Sequence, residues 1–232
     1  MSGAVTHPRA AARRGAVRAR SWWGKAWLRA VEESAYAEAD LRAGRRLARS
    51  GDVGAITVDT GSFVAAVVEG DDAWTVHAQC EPAGPWEVFI ELVAAAAGRV
   101  GALLAGDLPH ELVEQAEDAG FELLPYAGDL SWTCTCDPWT PPCRHALAVA
   151  HQLGWLLDTD PFVLVQLRGL TREDLLARLH ASRGELVEAG DACDLECSGE
   201  DDPDLEVALE AADRARRALD LLAEGRSADH LF

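Results

Sequence analysis

The sequence has no uninterrupted run of about 18 apolar residues, the length that a membrane-spanning helix needs. Its longest apolar stretch, residues 92–105, is broken by Gly98, Arg99 and Gly101. The arginine-rich beginning of the chain also lacks the apolar core and the small-residue cleavage site of a secretory signal. We therefore expect a cytoplasmic protein without a membrane segment. In a reducing compartment, its six cysteines are expected to be thiols or metal ligands instead of disulfides.

The sequence also lacks the motifs that mark common enzyme classes. There is no glycine-rich phosphate loop, no nucleophile elbow and no carboxylate cluster of the kind that metal-dependent nucleases use. Paired acids at 71–72 and 201–202 are interpreted as turn and linker residues. We therefore predict that the chain is not an enzyme and has no small-molecule substrate. A zinc-dependent hydrolase is the one enzymatic alternative.

Charge is distributed unevenly along the chain, whose formal net charge is −18. Eleven Arg and Lys residues but only four Asp and Glu residues lie within positions 1–50, so this part is basic. The remaining residues, 51–232, carry ten basic and 35 acidic side chains. A basic segment can attract phosphate groups or an acidic partner, whereas the acidic remainder would repel nucleic acid.

Four potential ligands for a soft or borderline metal ion fall within twelve residues: Cys134, Cys136, Cys143 and His145. Zinc in structural sites prefers four nitrogen or sulfur ligands in a closed tetrahedron. Three thiolates and one imidazole meet that preference and leave no position for water. A catalytic zinc is disfavoured for the same reason, and because no Glu stands beside the ligands as a general base. The alternative is ordinary buried thiols beside a coincidental C-x-H.

The spacing of these ligands suits a turn between a strand and a helix. Cys134 and Cys136 are two residues apart, so extended backbone presents both on one side. Two proline-containing dipeptides in the six-residue loop turn the chain back. Cys143 then lies just before a predicted helix and His145 lies in its first turn, where thiolate charge is favoured. Arg144 is predicted to offset part of the net negative charge of the site.

The pattern C-x-C-x6-C-x-H resembles the SWIM-type zinc finger, a ββα metal module. The likeness extends to S-W-W-G-K-A-W from Ser21, to L-L-A-G-D-L-P-H-E-L from Leu103 and to D-P-F-V-L-V-Q-L from Asp160. Residues 21–180 thus look like a bacterial, mainly actinobacterial, SWIM zinc finger family. The resemblance implies that the four residues named above bind one structural zinc ion. It also implies DNA binding or protein interaction, often beside a Swi/Snf-type helicase-like ATPase.

Apolar patterning predicts an α+β fold in which this finger is embedded. Three β-branched runs between 53 and 80 predict a small antiparallel meander. Ser21 is a predicted helix cap, followed by Trp23 and Trp27 on a buried face. A hairpin before Cys134 and a helix after His145 would complete the finger. The predicted organisation is a disordered basic N-terminus (1–20), an α+β N-terminal region (21–125), the SWIM zinc finger with its following helices (126–182), an acidic linker (183–203) and a C-terminal helix (204–232).

These features predict a zinc-binding protein whose finger mediates protein or DNA interaction and which is accessory to a helicase-like ATPase. Any binding surface is expected around Trp139 and Arg144. The alternative is direct nucleic-acid binding through the arginine-rich N-terminal region. That hypothesis names Arg42, Arg45, Arg46, Arg49 and Arg144 together with the arginines before residue 21.

Four other potential ligands are left outside the predicted site. Cys193 and Cys197 could form half of a second metal site, but no matching pair lies nearby. Cys80 is interpreted as a strand residue. His151 is six residues beyond His145, and a supporting or surface role is predicted for it.

Overall fold

Alternating apolar and polar residues build an antiparallel sheet in the computed structural model. The structure describes residues 3–15 and 18–191, and it describes the side chains of all of these except 97 and 183–191. The strands are β1 (Val5–His7), β2 (Val53–Asp59), β3 (Ser62–Glu69), β4 (Asp72–Cys80) and β5 (Leu130–Cys134). They lie side by side in chain order, and every neighbouring pair is antiparallel. The predicted α+β class is confirmed. The predicted three-stranded meander is extended by one strand at each edge.

Helices precede, interrupt and follow the strands. Before β2 lie α1 (Trp22–Ser34) and α2 (Glu38–Ser50), and between β4 and β5 lie α3 (Trp86–Ala94), α4 (Ala97–Leu104) and α5 (His110–Asp118). After β5 come α6 (Arg144–Leu157), α7 (Pro161–Leu167) and α8 (Arg172–Asp191). In the described part of the chain, no helix is both long and apolar enough to cross a membrane.

Helix α6 is the centre of the fold, with eleven of its 14 residues buried. It contacts α1, α2, α7 and four of the strands. Glycines allow two of these contacts to be close. A Cβ atom at Gly44 of α2 would lie 2.8 Å from Cβ of Leu147, and one at Gly154 would lie 2.9 Å from the Trp27 ring. Any larger side chain at either position would force the helices apart.

The prediction for α1 is confirmed. The Ser21 hydroxyl accepts a hydrogen bond from the amide of Gly24, as an N-cap does. Trp23 and Trp27 are buried, and their indole N–H groups donate to backbone carbonyls of α6, at Leu157 and Ala150. These bonds satisfy the polar atoms that the buried rings carry.

The prediction that residues 1–20 are disordered is wrong for β1, which pairs with β2 in the register Val5–Val58. That prediction is based on low apolar content, but an edge strand is held mainly by backbone hydrogen bonds to the neighbouring strand. Further hydrogen bonds fix the flanking residues. Nε of Arg9 donates to the carbonyl of Gly51 at 2.6 Å, and the amide of Arg13 donates to the carbonyl of Arg49 at 2.8 Å.

Two predicted boundaries are corrected. Residues 126–182 do not form a separate module, because β5 pairs with β4, whose Cys80 lies opposite Leu130. The hairpin predicted before Cys134 is thus a pair of strands separated by three helices. Residues 183–191, predicted as linker, continue α8. Met1–Glu188 belong to one compact unit. The rest of the predicted linker and the predicted C-terminal helix (204–232) lie outside the described residues.

Candidate metal centre

The four predicted ligands converge where β5 ends and α6 begins. Cys134 is the last residue of β5, and Cys136 follows in a turn. Asp137 adopts the left-handed conformation there (φ 49°), which Asp tolerates better than most residues. Cys143 is the N-cap residue of α6, and His145 lies in the first turn of that helix. Strand, turn and helix therefore each contribute to one cluster.

Three of the distances between the ligand atoms are close to those of a tetrahedral metal site. The Sγ atoms of the three cysteines and one ring nitrogen of His145 all lie within 4.8 Å of one another. The Sγ atoms of Cys136 and Cys143 are 3.5 Å apart, and Nδ1 of His145 lies 3.8 Å from Sγ of Cys134 and 3.9 Å from Sγ of Cys143. Zinc bonds of about 2.3 Å to sulfur and about 2.0–2.1 Å to nitrogen give separations of roughly 3.5–3.8 Å. The cluster could therefore hold a metal ion.

His145 is oriented by a neighbour that the sequence did not indicate. Its Nε2 lies 2.9 Å from Oε2 of Glu69, at the end of β3, so Nε2–H donates to the carboxylate. The lone pair of Nδ1 is then directed towards the thiols. Histidine ligands of metals commonly donate their second ring N–H to a carboxylate in this way. The ring of Trp74 stacks on the imidazole at a centroid distance of 5.6 Å and an interplanar angle of 22°.

Burial raises the pKa of two of the thiols. Loss of solvation is the largest cause at Cys134 and at Cys136, and the neighbouring thiols of the cluster raise the pKa of Cys136 further. Without a cation, the buried cluster therefore favours neutral thiols. A divalent metal reverses that preference, because a coordinated thiol is deprotonated outright.

Arg144, which is predicted to offset part of the charge of the site, forms ion pairs with two carboxylates beside the cluster. Its Nε is 3.5 Å from Asp40 and its Nη1 is 3.7 Å from Glu69, and Nη2 of Arg46 lies 3.9 Å from the same Glu69. Glu69 therefore joins His145 to two guanidinium groups. Its charge is offset by arginines from α2 and α6, which suits a carboxylate that is only partly exposed.

An exposed aromatic surface borders the cluster. Trp139, in the loop between the ligand pairs, is fully exposed at 101%, and Tyr36, between α1 and α2, is 82% exposed. Both line an open cavity of about 540 Å³ that also contacts Cys136, Cys143 and His145. Large exposed aromatic rings next to a rigid centre are typical of a surface that binds a partner.

The arginines of α2 do not form one patch. Arg42 pairs with Glu38 at 2.5 Å, Arg45 pairs with Glu32, and Arg46 faces Glu69. Only Arg49 has no ion pair within the described residues. Most of the charge that the nucleic-acid hypothesis assigns to this helix is thus compensated by neighbouring carboxylates.

The other potential ligands stand apart from the cluster. Cys80 ends β4, as predicted. His151 is buried at 6% exposure in α6, and the surface role suggested for it is wrong. Cys193 and Cys197 lie outside the described residues.

The chain is similar to one protein of known sequence whose function is not described. The chain is 33% identical over 177 residues to the uncharacterized protein Rv2102 of Mycobacterium tuberculosis. The alignment covers 74% of this chain and 63% of the relative, so the chain spans less than two thirds of that protein. No family model matches the sequence, and no solved structure matches it.

Proposed function

We propose that the chain is a SWIM-type zinc-finger protein with one structural zinc ion and no catalytic role. The convergence of Cys134, Cys136, Cys143 and His145 is the observation that supports this proposal. Three soft sulfur ligands and one imidazole favour zinc over magnesium or calcium, which prefer oxygen. Four protein ligands complete the tetrahedron, so the metal would have no open position for a substrate.

In this proposal the zinc ion joins the end of β5 to the first turn of α6. Cys134 and Cys136 hold it from one side, and Cys143 and His145 from the other. Glu69 keeps His145 in the tautomer that binds through Nδ1. The metal thereby fixes the loop that carries Trp139. Structural zinc contributes on the order of 10 kcal/mol of apparent binding free energy to folding.

The function of that loop is proposed to be protein interaction, with a Swi/Snf-type helicase-like ATPase as the partner. The exposed ring of Trp139 beside Tyr36 supports a protein contact. The bordering carboxylates of Asp40 and Glu69 pair with Arg144, which leaves little uncompensated positive charge for a phosphate backbone. The compensated arginines of α2 also favour a protein partner over direct DNA binding.

A pull-down from native cells tests this proposal. We expect the wild-type chain to recover a helicase-like ATPase and Trp139→Ala to lose it, while the metal content stays unchanged. Leu104→Ala is the matched control, because Leu104 is a 51% exposed apolar residue of α4 outside the cavity. Recovery of no ATPase, or equal recovery by Trp139→Ala, would reject the proposal. Tight DNA binding at about 50 mM salt would instead favour the nucleic-acid alternative.

A further inference from the structure

A second cavity, here called the basic cleft, lies along α1, α2 and α6 and shares no lining residue with the metal centre. It measures about 990 Å³. Its charged and ring-bearing lining residues are Arg18, Trp22, Lys25, Arg29, Glu32, Arg45, Arg49, His110, His151 and Trp155.

The charge of the basic cleft is opposite to that of the whole chain. Five of its lining residues are Arg or Lys and one is Glu, while the chain as a whole carries −18. Such a concentration of one sign within a concave surface focuses the electrostatic potential and attracts anions. The five cations come from α1, α2 and the segment just before α1, so only the fold brings them together.

Three of the five cations are not engaged elsewhere. Arg45 pairs with Glu32, and Arg29 pairs with Glu33 at 3.4 Å. Arg18, Lys25 and Arg49 make no side-chain hydrogen bond or ion pair with any residue in the described ranges. Their donors are therefore available to an anion that enters the cleft.

A buried imidazole, that of His151, lines the cleft, and the arginines of the cleft affect its pKa. His151 is only 6% exposed, and its Nε2 is buried without a hydrogen-bond partner among the described residues. Burial is the largest cause that lowers the pKa of His151 to about 4, and the positive charges of Arg45 and Arg49 contribute to this shift. A neutral imidazole with an unmet ring nitrogen thus lines a cleft that is otherwise cationic.

Aromatic and aliphatic groups complete the lining. Trp22 and Trp155 are half-buried, and Ala26, Leu28 and Ala48 lie between the charged residues. A volume near 1,000 Å³ with apolar walls and a few polar groups matches sites that enclose small ligands, which measure about 300–1,000 Å³. The guanidinium of Arg13 lies over one face of the Trp155 ring, 4.2 Å from its centroid, so the other face of that ring and the exposed part of Trp22 remain for a planar group. The cations offer donors to the charges of such a group.

We propose that the basic cleft binds a nucleoside polyphosphate, with its phosphates on Arg18, Lys25 and Arg49 and its base against Trp22 or Trp155. This function is independent of the metal centre and goes beyond the proposed interaction role. It adds a small-molecule ligand that the sequence did not predict.

Single-stranded nucleic acid shares this chemistry but fits the molecule less well. Beyond the basic residues 1–50, the chain carries ten basic and 35 acidic side chains. A long polyanion would extend past the basic surface into negative potential, whereas a nucleotide is short enough to stay within the cleft.

Titration calorimetry with the full zinc-loaded chain tests the proposal with four probes: ATP, inorganic tripolyphosphate, adenosine and a single-stranded oligonucleotide of about 20 nucleotides. We expect ATP to bind with a Kd below about 1 mM, tripolyphosphate to bind at least about fivefold more weakly and adenosine to give no signal. No binding of ATP at about 5 mM would overturn the proposal. Equal binding of tripolyphosphate or of adenosine would overturn it too, and tighter binding of the oligonucleotide would assign the cleft to nucleic acid.

Two arginines of α2 provide a matched pair of variants. Arg49→Ser removes a cation from the cleft, and we expect ATP binding to weaken at least about tenfold, because bonds to a charged phosphate are strong. Arg42→Ser makes the same change on the same helix but outside the cleft, and binding should stay within about twofold. Equal losses in both variants would show a general charge effect and overturn the proposal.

His151 gives an independent spectroscopic readout. An anion in the cleft stabilises the imidazolium form, so ATP should raise the pKa of His151 in an NMR titration. The same titration with Arg49→Ser should show a smaller change on addition of ATP. An unchanged His151 pKa at saturating ATP would place the nucleotide elsewhere and contradict the proposal.

Discussion

The metal centre and the basic cleft both include residues of α6 but are assembled in different ways. Four ligands of the metal centre come from one stretch of twelve residues, and their spacing alone brings them together. The cations of the cleft come from two other helices and a preceding segment. A short-range site depends mainly on local turns, whereas a dispersed site depends on how the helices pack. Changes at each site therefore test different parts of the structure.

The largest effect is expected from loss of a metal ligand. Cys143→Ser should abolish metal binding and with it on the order of 10 kcal/mol of stabilisation, so that the chain loses cooperative unfolding. Thermal unfolding followed by circular dichroism measures the change. Because α6 lines the cleft, ATP binding should be lost as well.

Cys80→Ala is the control for that variant. Cys80 is a buried thiol in β4 that lies outside the cluster. We expect it to retain the metal and a cooperative transition, with the modest loss that removal of one buried side-chain atom causes. Similar behaviour of Cys80→Ala and Cys143→Ser would mean that the cluster has no special role in stability.

A smaller effect is expected from acidification, through His151. Its pKa is about 4 in the folded chain and about 6.5 when unfolded, so the unfolded state binds more protons between these values. This contribution to stability is complete above about pH 6.5 and is lost as pH falls through 4. The free energy of unfolding should drop by about 3 kcal/mol over that range, as chemical denaturation would measure.

His151→Gln separates this effect from loss of metal at low pH. The variant lacks the titrating group, so its stability should fall less between pH 6.5 and 4 than that of the wild type. Saturating ATP should also reduce the loss in the wild type, because it favours the protonated imidazole. Identical pH profiles of the two proteins would show that His151 is not the buried neutral group described above.

The smallest effect is expected at Glu69, which contacts a ligand and not the metal. Glu69→Ala should lower zinc affinity about 10–100-fold, because His145 loses the carboxylate that orients it. Competition with a chromogenic chelator measures this affinity. Glu38→Ala removes an exposed acid that pairs with Arg42 and should leave zinc affinity unchanged. Equal zinc affinity of the Glu69 variant and the wild type would show that Glu69 does not contribute to metal binding through His145.

The metal cluster could be predicted because chemistry and geometry are both local. Cysteine and histidine are rare enough that four within twelve residues carry information. Turn residues between the two pairs indicate how the chain returns. Glu69 could not be found in this way, since 76 residues separate it from His145 and one glutamate among many carries no signal. Strand pairing between β3, β4 and β5 is what places it there.

The helices were predictable where caps and apolar spacing agreed, as at Ser21 with Trp23 and Trp27. The strand at Val5–His7 was not, because its order comes from backbone pairing with β2 and its apolar content is low. The nucleic-acid hypothesis treats the arginines of α2 as one basic face. Tertiary contacts divide that face, with Arg46 towards Glu69 and Arg49 towards the cleft.

Elemental analysis of the full chain, purified without chelator, tests the central claim most directly. The structure brings three thiols and one imidazole within 4.8 Å of one another, so we expect one zinc ion per chain in the wild type and in Cys80→Ala. Cys143→Ser should contain almost none. A wild-type zinc content near zero, in a chain that is nevertheless folded, would contradict the account.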